Sequence, residues 1–157
     1  MGSDVLAVAD YYGSAVRLYT FVESENYNAY TACGHVGCKA RRSLAVQECS
    51  KGNLCRPSGL AIASSGVDSS GCPWAVLLVA ETGAQCVSVF RLYVSQESQD
   101  PSGSALFAEH LSDLGVEQLG SGMHAPHLGQ WGWMGVATAE NGDVLVTDCD
   151  NDVLYIL

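Results

Sequence analysis

Residues 77–90 read LLVAETGAQCVSVF, and the fold prediction for this chain starts from them. This stretch reads as four apolar residues, an acidic residue, a short polar turn and a second run with alternating apolar positions, which is the pattern of a β-hairpin. Two further stretches repeat this order, LAVADYYGSAVRLYTF at residues 6–21 and VLVTDCDNDVLYIL at residues 144–157. The acidic residue that closes the first strand is, in turn, Asp10, Glu81 and Asp148. The sequence therefore predicts three copies of one antiparallel unit.

Particular residues are expected to stabilise the turn of each copy. An acidic side chain at the end of a strand can accept hydrogen bonds from backbone N–H groups of the turn that follows. Gly13 and Gly83 are expected to relax the φ restriction in the first two turns, and Asn151 is expected to adopt left-handed geometry in the third.

Further strands are predicted on both sides of the hairpins. RPSGLAIASSG at residues 56–66 precedes the second hairpin and WMGVATAENG at residues 133–142 precedes the third, where Asn-Gly is a strong signal for a tight turn. Residues 105–111 are expected to add an outer strand after the second hairpin, and residues 27–32 to do so after the first. A repeated four-stranded antiparallel meander is the blade of a β-propeller.

The order Pro-x-Gly-apolar-Ala, then Gly, then apolar-Val-Ala-Asp and Val-x-Val-Phe resembles the NHL-repeat family of β-propellers. The resemblance covers residues 1–21, 57–90 and 133–157, and it is strongest in the middle copy. Glu81 stands where the family pattern has Asp, and residues 72–74 (Cys-Pro-Trp) are expected to lengthen the turn before that hairpin.

The resemblance implies an all-β chain: a partial β-propeller of about three four-stranded antiparallel blades with long inter-blade loops. The acidic residues of successive copies are 71 and 67 residues apart, whereas propeller repeats usually run to about 40–50 residues. The expected blades are 1–32, 56–112 and 131–157, and the expected long connections are 33–55 and 113–130.

Three blades are too few to close a propeller, so sheet faces are expected to be exposed at both ends. The function predicted from this is a non-enzymatic protein–protein interaction or structural module, a propeller fragment or subunit within a larger assembly. Protein partners or self-association would cover the exposed blade edges. The alternative is a fragment of a propeller enzyme of the metal-dependent lactonase or lyase type, which would gather ligands from several blades around one channel.

The charge distribution bears on the class of partner. The formal net charge is −10, and no Lys or Arg follows residue 91. Nucleic-acid binding is disfavoured, because phosphate contacts require a basic surface. The longest apolar run, residues 74–80, is too short for the ~20 residues of a membrane-spanning helix. No membrane insertion is expected, and with no evident signal peptide and an odd number of cysteines an intracellular location is favoured.

Four of the seven cysteines cluster with a histidine in the first long connection: Cys33, His35, Cys38, Cys49 and Cys55. These residues could bind a structural zinc ion, form at least one disulfide, or remain as unmodified thiols. The spacing contains no Cys-x-x-Cys pair, and the odd total favours reduced thiols. The remaining cysteines are predicted to be packing residues: Cys72, Cys86 and Cys149.

Two other groups resemble metal ligands. His124 and His127 would need a third ligand from another blade, and the two remaining histidines occupy no equivalent repeat position. Asp148, Asp150 and Asp152 alternate as calcium ligands do, but the Gly and the closing Glu of an EF-hand loop are missing. Neither group is predicted to bind a metal.

Trp131, Trp133 and Met134 form an apolar cluster that is either a protein-binding surface or, as favoured here, core between neighbouring blades. No nucleophile elbow, phosphate-binding loop or His-Glu-x-x-His motif is present. The sequence therefore predicts no catalytic residue, no cofactor and no metal site.

Overall fold

The structure, a computed structural model, describes residues 5–23, 28–36, 54–84, 86–95, 105–115, 134–149 and 152–157. Within these ranges the chain forms ten β-strands and no helix, which confirms the all-β prediction. No helix long and apolar enough to cross a membrane occurs in the part of the chain that the structure describes. The strands are β1 (Val5–Asp10), β2 (Ala15–Glu23), β3 (Asn28–Val36), β4 (Pro57–Val67), β5 (Pro73–Glu81), β6 (Cys86–Ser95), β7 (Ala105–Gly115), β8 (Met134–Thr138), β9 (Val144–Asp148) and β10 (Val153–Ile156).

The strands form three antiparallel sheets, each a meander of consecutive strands. The first sheet is β1-β2-β3, the middle sheet is β4-β5-β6-β7, and the third sheet is β8-β9-β10. The predicted outer strands are confirmed, since β3 pairs with β2 and β7 pairs with β6. Both strands run further than expected, to Val36 and Gly115. Only the middle sheet has four strands among the described residues.

The middle sheet is covered on both faces. Leu77 and Val79 of β5 belong to a core cluster shared with the first sheet, whereas Leu78 and Ala80 belong to a second cluster shared with the third sheet. Side chains alternate along a strand, so a strand buried on both faces needs a continuous apolar run. That is why residues 74–80 are apolar throughout. Each fully buried Leu or Val here contributes about 1.5–3 kcal/mol relative to an exposed one.

The middle and third sheets meet most closely where β4 lies beside β8. The Ser58 hydroxyl donates to the Met134 carbonyl oxygen at 2.7 Å, and the Thr138 hydroxyl donates to the Ile62 carbonyl oxygen at 3.2 Å. The order of these contacts shows that the two strands run in the same direction. A side chain at Gly59 would place its Cβ 2.9 Å from the backbone nitrogen of Val136, so the close approach requires glycine.

The turns differ from the sequence prediction in detail. Neither Gly13 nor Gly83 has a positive φ; in the first turn Ser14 adopts the left-handed conformation, with φ of 51°. The expected role of the two glycines was wrong because what they provide is space. A Cβ at Gly13 would lie 2.5 Å from Asp10 Cγ, and one at Gly83 would lie 2.6 Å from Cys55 Sγ.

The turn between β8 and β9 confirms the sequence prediction, whereas the turn between β4 and β5 differs from it. Asn141-Gly142 forms the predicted turn between β8 and β9, where Gly142 has a φ of 95° and its N–H donates to the Ala139 carbonyl oxygen. The Cys-Pro-Trp stretch does not lengthen a turn, because Pro73 begins β5. The turn before it is organised by Asp68 Oδ1, which accepts hydrogen bonds from the N–H groups of Ser70 and Cys72.

Candidate functional site

A polar cluster lies at one end of the middle sheet and consists of Glu81, Ser88, His110 and Asp113. Glu81 ends β5, Ser88 lies on β6, and the other two lie on β7. Ser88 is paired with Asp113 across the strands, and His110 is paired with Phe90. Paired residues share a face of a sheet, so the cluster continues the face that carries Leu77 and Phe90. This is the face packed against the first sheet.

Hydrogen bonds join the four side chains into one chain. The Ser88 hydroxyl lies within hydrogen-bonding distance of Glu81 Oε1 and is 2.8 Å from Asp113 Oδ1. His110 Nε2 is 2.7 Å from the same Asp113 oxygen. The second oxygen of Glu81 accepts a hydrogen bond from the backbone N–H of Cys55. The cluster therefore ties the segment before β4 to three strands of the middle sheet.

The cluster holds two carboxyl groups around a hydroxyl that has one proton to donate. Ser88 can donate to only one carboxylate at a time, so the other contact is satisfied when a carboxyl group is protonated. Glu81 is the better candidate, because it is almost completely buried. Burial raises the pKa of Glu81 above its ordinary value, while the hydrogen bonds from Ser88 and Cys55 oppose that rise. A protonated Glu81 can donate to the Ser88 hydroxyl, which is then able to donate to Asp113 Oδ1.

Cys86 lies beside the cluster, and its sulfur completes a possible ligand set. One ligand atom from each of Glu81, Cys86 and Asp113 lies within 4.8 Å of the others. Burial raises the pKa of the Cys86 thiol to about 12, whereas metal binding uses the thiolate. The carboxyl oxygens are already bonded to Ser88. The arrangement is better suited to holding strands together than to offering ligands.

The acidic residues of the first two hairpins are held in different ways. Asp10 Oδ1 accepts a hydrogen bond from Gly13 N–H at 2.8 Å, as predicted, and Asp10 Oδ2 lies 2.6 Å from the Arg17 guanidinium. The hydrogen bonds from Arg17 and Gly13 lower the pKa of Asp10. The same role was expected of the Glu81 side chain, which instead bonds to Ser88 and to the Cys55 backbone. That expectation was wrong, because the longer, buried side chain has its partners outside its own turn.

The second candidate site is a pair of exposed apolar sheet faces. The first outer face is the side of the first sheet turned away from the middle sheet, and it carries Leu6, Val8 and Phe21. The third outer face is the corresponding side of the third sheet, and it carries Leu145, Leu154 and Ile156. Leu154 and Ile156 are 56 % and 65 % exposed. The first outer face also carries Tyr19 and Arg17, and the Arg17 guanidinium is paired with Asp10. The third outer face also carries Thr147.

Several residues singled out in the sequence have side chains outside the described part of the structure. They are Cys33, His35, Cys38, Cys49, His124, His127, Trp131, Trp133, Asp150 and Asn151. The zinc and disulfide alternatives for the first cysteine group, and the calcium alternative for the aspartates, therefore fall largely on residues outside the described part of the structure. No disulfide joins the four cysteines whose side chains are described: Cys55, Cys72, Cys86 and Cys149. Met134 is buried in the core between the middle and third sheets, as favoured for its cluster.

Sequence reasoning missed the polar cluster, although one signal pointed to it. Ser88 occupies a position in the alternating run Val87–Phe90 where the neighbouring inward-facing residue is apolar. A polar residue in an inward-facing row requires a hydrogen-bond partner. Which partner it has depends on the pairing of β6 with β7, and that pairing is not readable from the β5–β6 hairpin.

None of the family models, curated proteins or solved structures compared with the chain matches it. The resemblance to NHL-repeat proteins therefore rests on the repeated residues alone.

Proposed function

We propose that this chain is a non-enzymatic interaction and structural module, a partial propeller of the NHL type whose three sheets are blades within a larger assembly. The observation that carries the proposal is the pair of exposed outer faces. The middle sheet has an apolar cover on both sides, whereas the first and third sheets each have one covered side and one exposed apolar side. Contiguous exposed apolar surface on a folded protein marks an interaction site.

The stacking of the sheets supports the propeller part of the proposal. In a propeller, successive blades pack face to face and their innermost strands lie side by side around the axis. Here β4 is the first strand of the middle sheet and β8 the first strand of the third, and the two run together in the same direction. The first sheet meets the middle sheet through Val16 and Leu18 on one side and Leu77 and Val79 on the other.

The charge of the chain supports a protein rather than a nucleic acid as the occupant of the outer faces. Arg17 lies on the first outer face but is paired with Asp10. Leu154 and Ile156 on the third outer face offer no donor for a phosphate, and the chain as a whole carries a formal charge of −10. Apolar contact is the main favourable term for such a surface. The enzyme alternative receives no comparable support, because the oxygens of the polar cluster are engaged with one another.

Binding of a fluorescent apolar dye such as ANS tests the proposal. At a protein concentration where the chain is monomeric, the outer faces are expected to bind the dye, and Leu154→Glu is expected to reduce the signal. Val67→Glu is the matched control, because Val67 is 66 % exposed on the middle sheet and belongs to neither outer face. A folded monomer that binds no dye, or equal loss in the two variants, would contradict the proposal.

A further inference from the structure

The outer faces correspond to particular inner faces of the middle sheet. When the three hairpins are aligned on their acidic residues, Leu6 and Val8 correspond to Leu77 and Val79. In the third copy, Leu145 and Thr147 correspond to Leu78 and Ala80. The first outer face is thus equivalent to one face of the middle sheet, and the third outer face is equivalent to the opposite one.

Both sheet-to-sheet contacts within the chain use these two kinds of face in the same order. Ala7, which corresponds to Leu78, packs from the first sheet onto the cluster that contains Leu77 and Val79. Leu78 itself packs from the middle sheet onto the cluster that contains Val146, the residue that corresponds to Val79. A face of the Leu78 kind is one whose residues align with Leu78 and Ala80, and a face of the Leu77 kind is one whose residues align with Leu77 and Val79. In both contacts, a face of the Leu78 kind packs on a face of the Leu77 kind that belongs to the next sheet.

The two outer faces are the unmatched halves of this contact. The third sheet exposes the face of the Leu78 kind, with Leu154, Ile156 and the half-buried Leu145, and the first sheet exposes the face of the Leu77 kind, with Leu6 and Val8. Each end of the stack presents what the other end lacks. The surface is complementary to itself in a head-to-tail sense, and not as two identical patches.

We propose that the partner covering these faces is a second copy of this chain, with the third outer face of one copy packed on the first outer face of the next. The inference rests on the proposed function, and adds the identity of the partner and the geometry of the contact. Two copies contribute six sheets, and a head-to-tail contact that repeats in both directions closes a ring, whereas one that fails to close gives an open chain of copies.

Electrostatics sets the expected salt dependence of this association. Each copy carries a formal charge of −10, so two copies repel one another over distances comparable with the screening length. The contact is made by aliphatic side chains, and Arg17 on the first outer face is already paired with Asp10 of its own copy. Association is therefore expected to strengthen as salt is added, which is opposite to the behaviour of a contact held by ion pairs.

Native mass measurement on two double variants tests the head-to-tail geometry. Leu6→Glu/Val8→Glu disables the first outer face, and Leu154→Glu/Ile156→Glu disables the third. The unmodified chain is expected to have the mass of two copies. Each double variant alone is expected to be a monomer, because its intact face has no intact counterpart. An equimolar mixture is expected to give a particle containing one chain of each kind, through the single remaining contact.

Controls separate assembly from folding. Val67→Glu is expected to leave the dimer unchanged, and circular dichroism is expected to show the same strand content in every variant. Where a glutamate pair prevents folding, Leu6→Ser/Val8→Ser and Leu154→Ser/Ile156→Ser replace it with smaller polar side chains and the mixing experiment is repeated.

Three outcomes would overturn the inference. A double variant that still dimerises by itself would show that a face pairs with its own kind. A monomeric unmodified chain that binds ANS would reject the second copy as partner while leaving the proposed function standing. A monomeric chain that binds no dye would reject both.

Discussion

The hairpins β1–β2 and β5–β6 have the same sequence pattern and different surroundings. Leu77 in β5 is 1 % exposed, whereas Leu6 at the equivalent position of β1 is 41 % exposed. The difference arises because, among the described residues, the middle sheet has a neighbouring sheet on both faces and the first sheet has one on a single face. The pattern therefore specifies a hairpin, while the burial of that hairpin depends on which sheets lie next to it.

The acidic residues of the two hairpins show the same contrast. Asp10 lies near solvent, caps its own turn and pairs with Arg17. Glu81 is buried and bonds to Ser88 and to the backbone of Cys55. The same repeat position therefore holds a carboxylate paired with a cation in the first hairpin and a buried carboxyl group with a raised pKa in the second.

Truncation of the equivalent residues Leu77 and Leu6 to alanine is expected to give the largest difference in the free energy of unfolding. Leu77→Ala leaves a cavity between the first and middle sheets and should lower the free energy of unfolding by about 2–5 kcal/mol. Leu6→Ala removes a half-exposed side chain and should cost less than about 1 kcal/mol. Urea unfolding of dilute protein measures both. Equal losses would show that the first outer face is covered in solution, and repeating the measurement at higher concentration would show whether a second copy covers it.

Replacement of the two turn glycines, Gly13 and Gly83, is expected to give a smaller difference in stability loss. Gly83→Ala brings a methyl group against the Cys55 carbonyl oxygen and sulfur, and overpacking of this kind typically costs about 1–3 kcal/mol. Gly13→Ala meets only the Asp10 side chain, which can rotate away at the loss of a hydrogen bond worth about 1 kcal/mol. Thermal melts of the two variants provide the measurement. A larger loss for Gly13→Ala would mean that the Asp10 contact matters more than the segment before β4.

The contributions of Asp10 and Glu81 to stability are expected to change with pH in opposite directions. These changes are expected to be the smallest of the three effects. The pKa of Asp10 is lowered from its ordinary value of 3.8, so its stabilisation is present above that pH and is lost as the pH falls through the folded-state pKa. The pKa of Glu81 is raised from 4.5, so its contribution is present below that pH and declines as the pH rises through the folded-state pKa.

Melting temperature as a function of pH, compared for Asp10→Asn and Glu81→Gln, measures these contributions. Asp10→Asn is expected to remove a loss of stability below pH 3.8. Glu81→Gln retains a donor and an acceptor and is expected to remove a decline above pH 4.5. Parallel curves for Glu81→Gln and the unmodified chain would show that folding does not change the pKa of Glu81.

The strands and turns of this protein could be predicted from residues that are close together in the chain. Alternating and continuous apolar runs predicted the strands, Asn141-Gly142 predicted a turn, and the repeat of a strand, an acid and a second strand predicted three hairpins, because these depend on residues close together in the chain. Even the outer strand β7 was predictable, since it follows its partner in a meander. The capping role of Asp10 was readable for the same reason: its partner Gly13 is three residues away.

The coverage of the sheet faces and the partners of Glu81 depend instead on how distant segments pack together. Cys55 precedes Glu81 by 26 residues and Asp113 follows Ser88 by 25, and these distances in sequence carry no periodic signal. The role of Gly83 depended on the same fold, because the atoms that exclude a side chain there belong to Cys55. The repeat specifies which residues lie on each face of a sheet, and the stacking of the sheets determines which of those faces are buried within the chain.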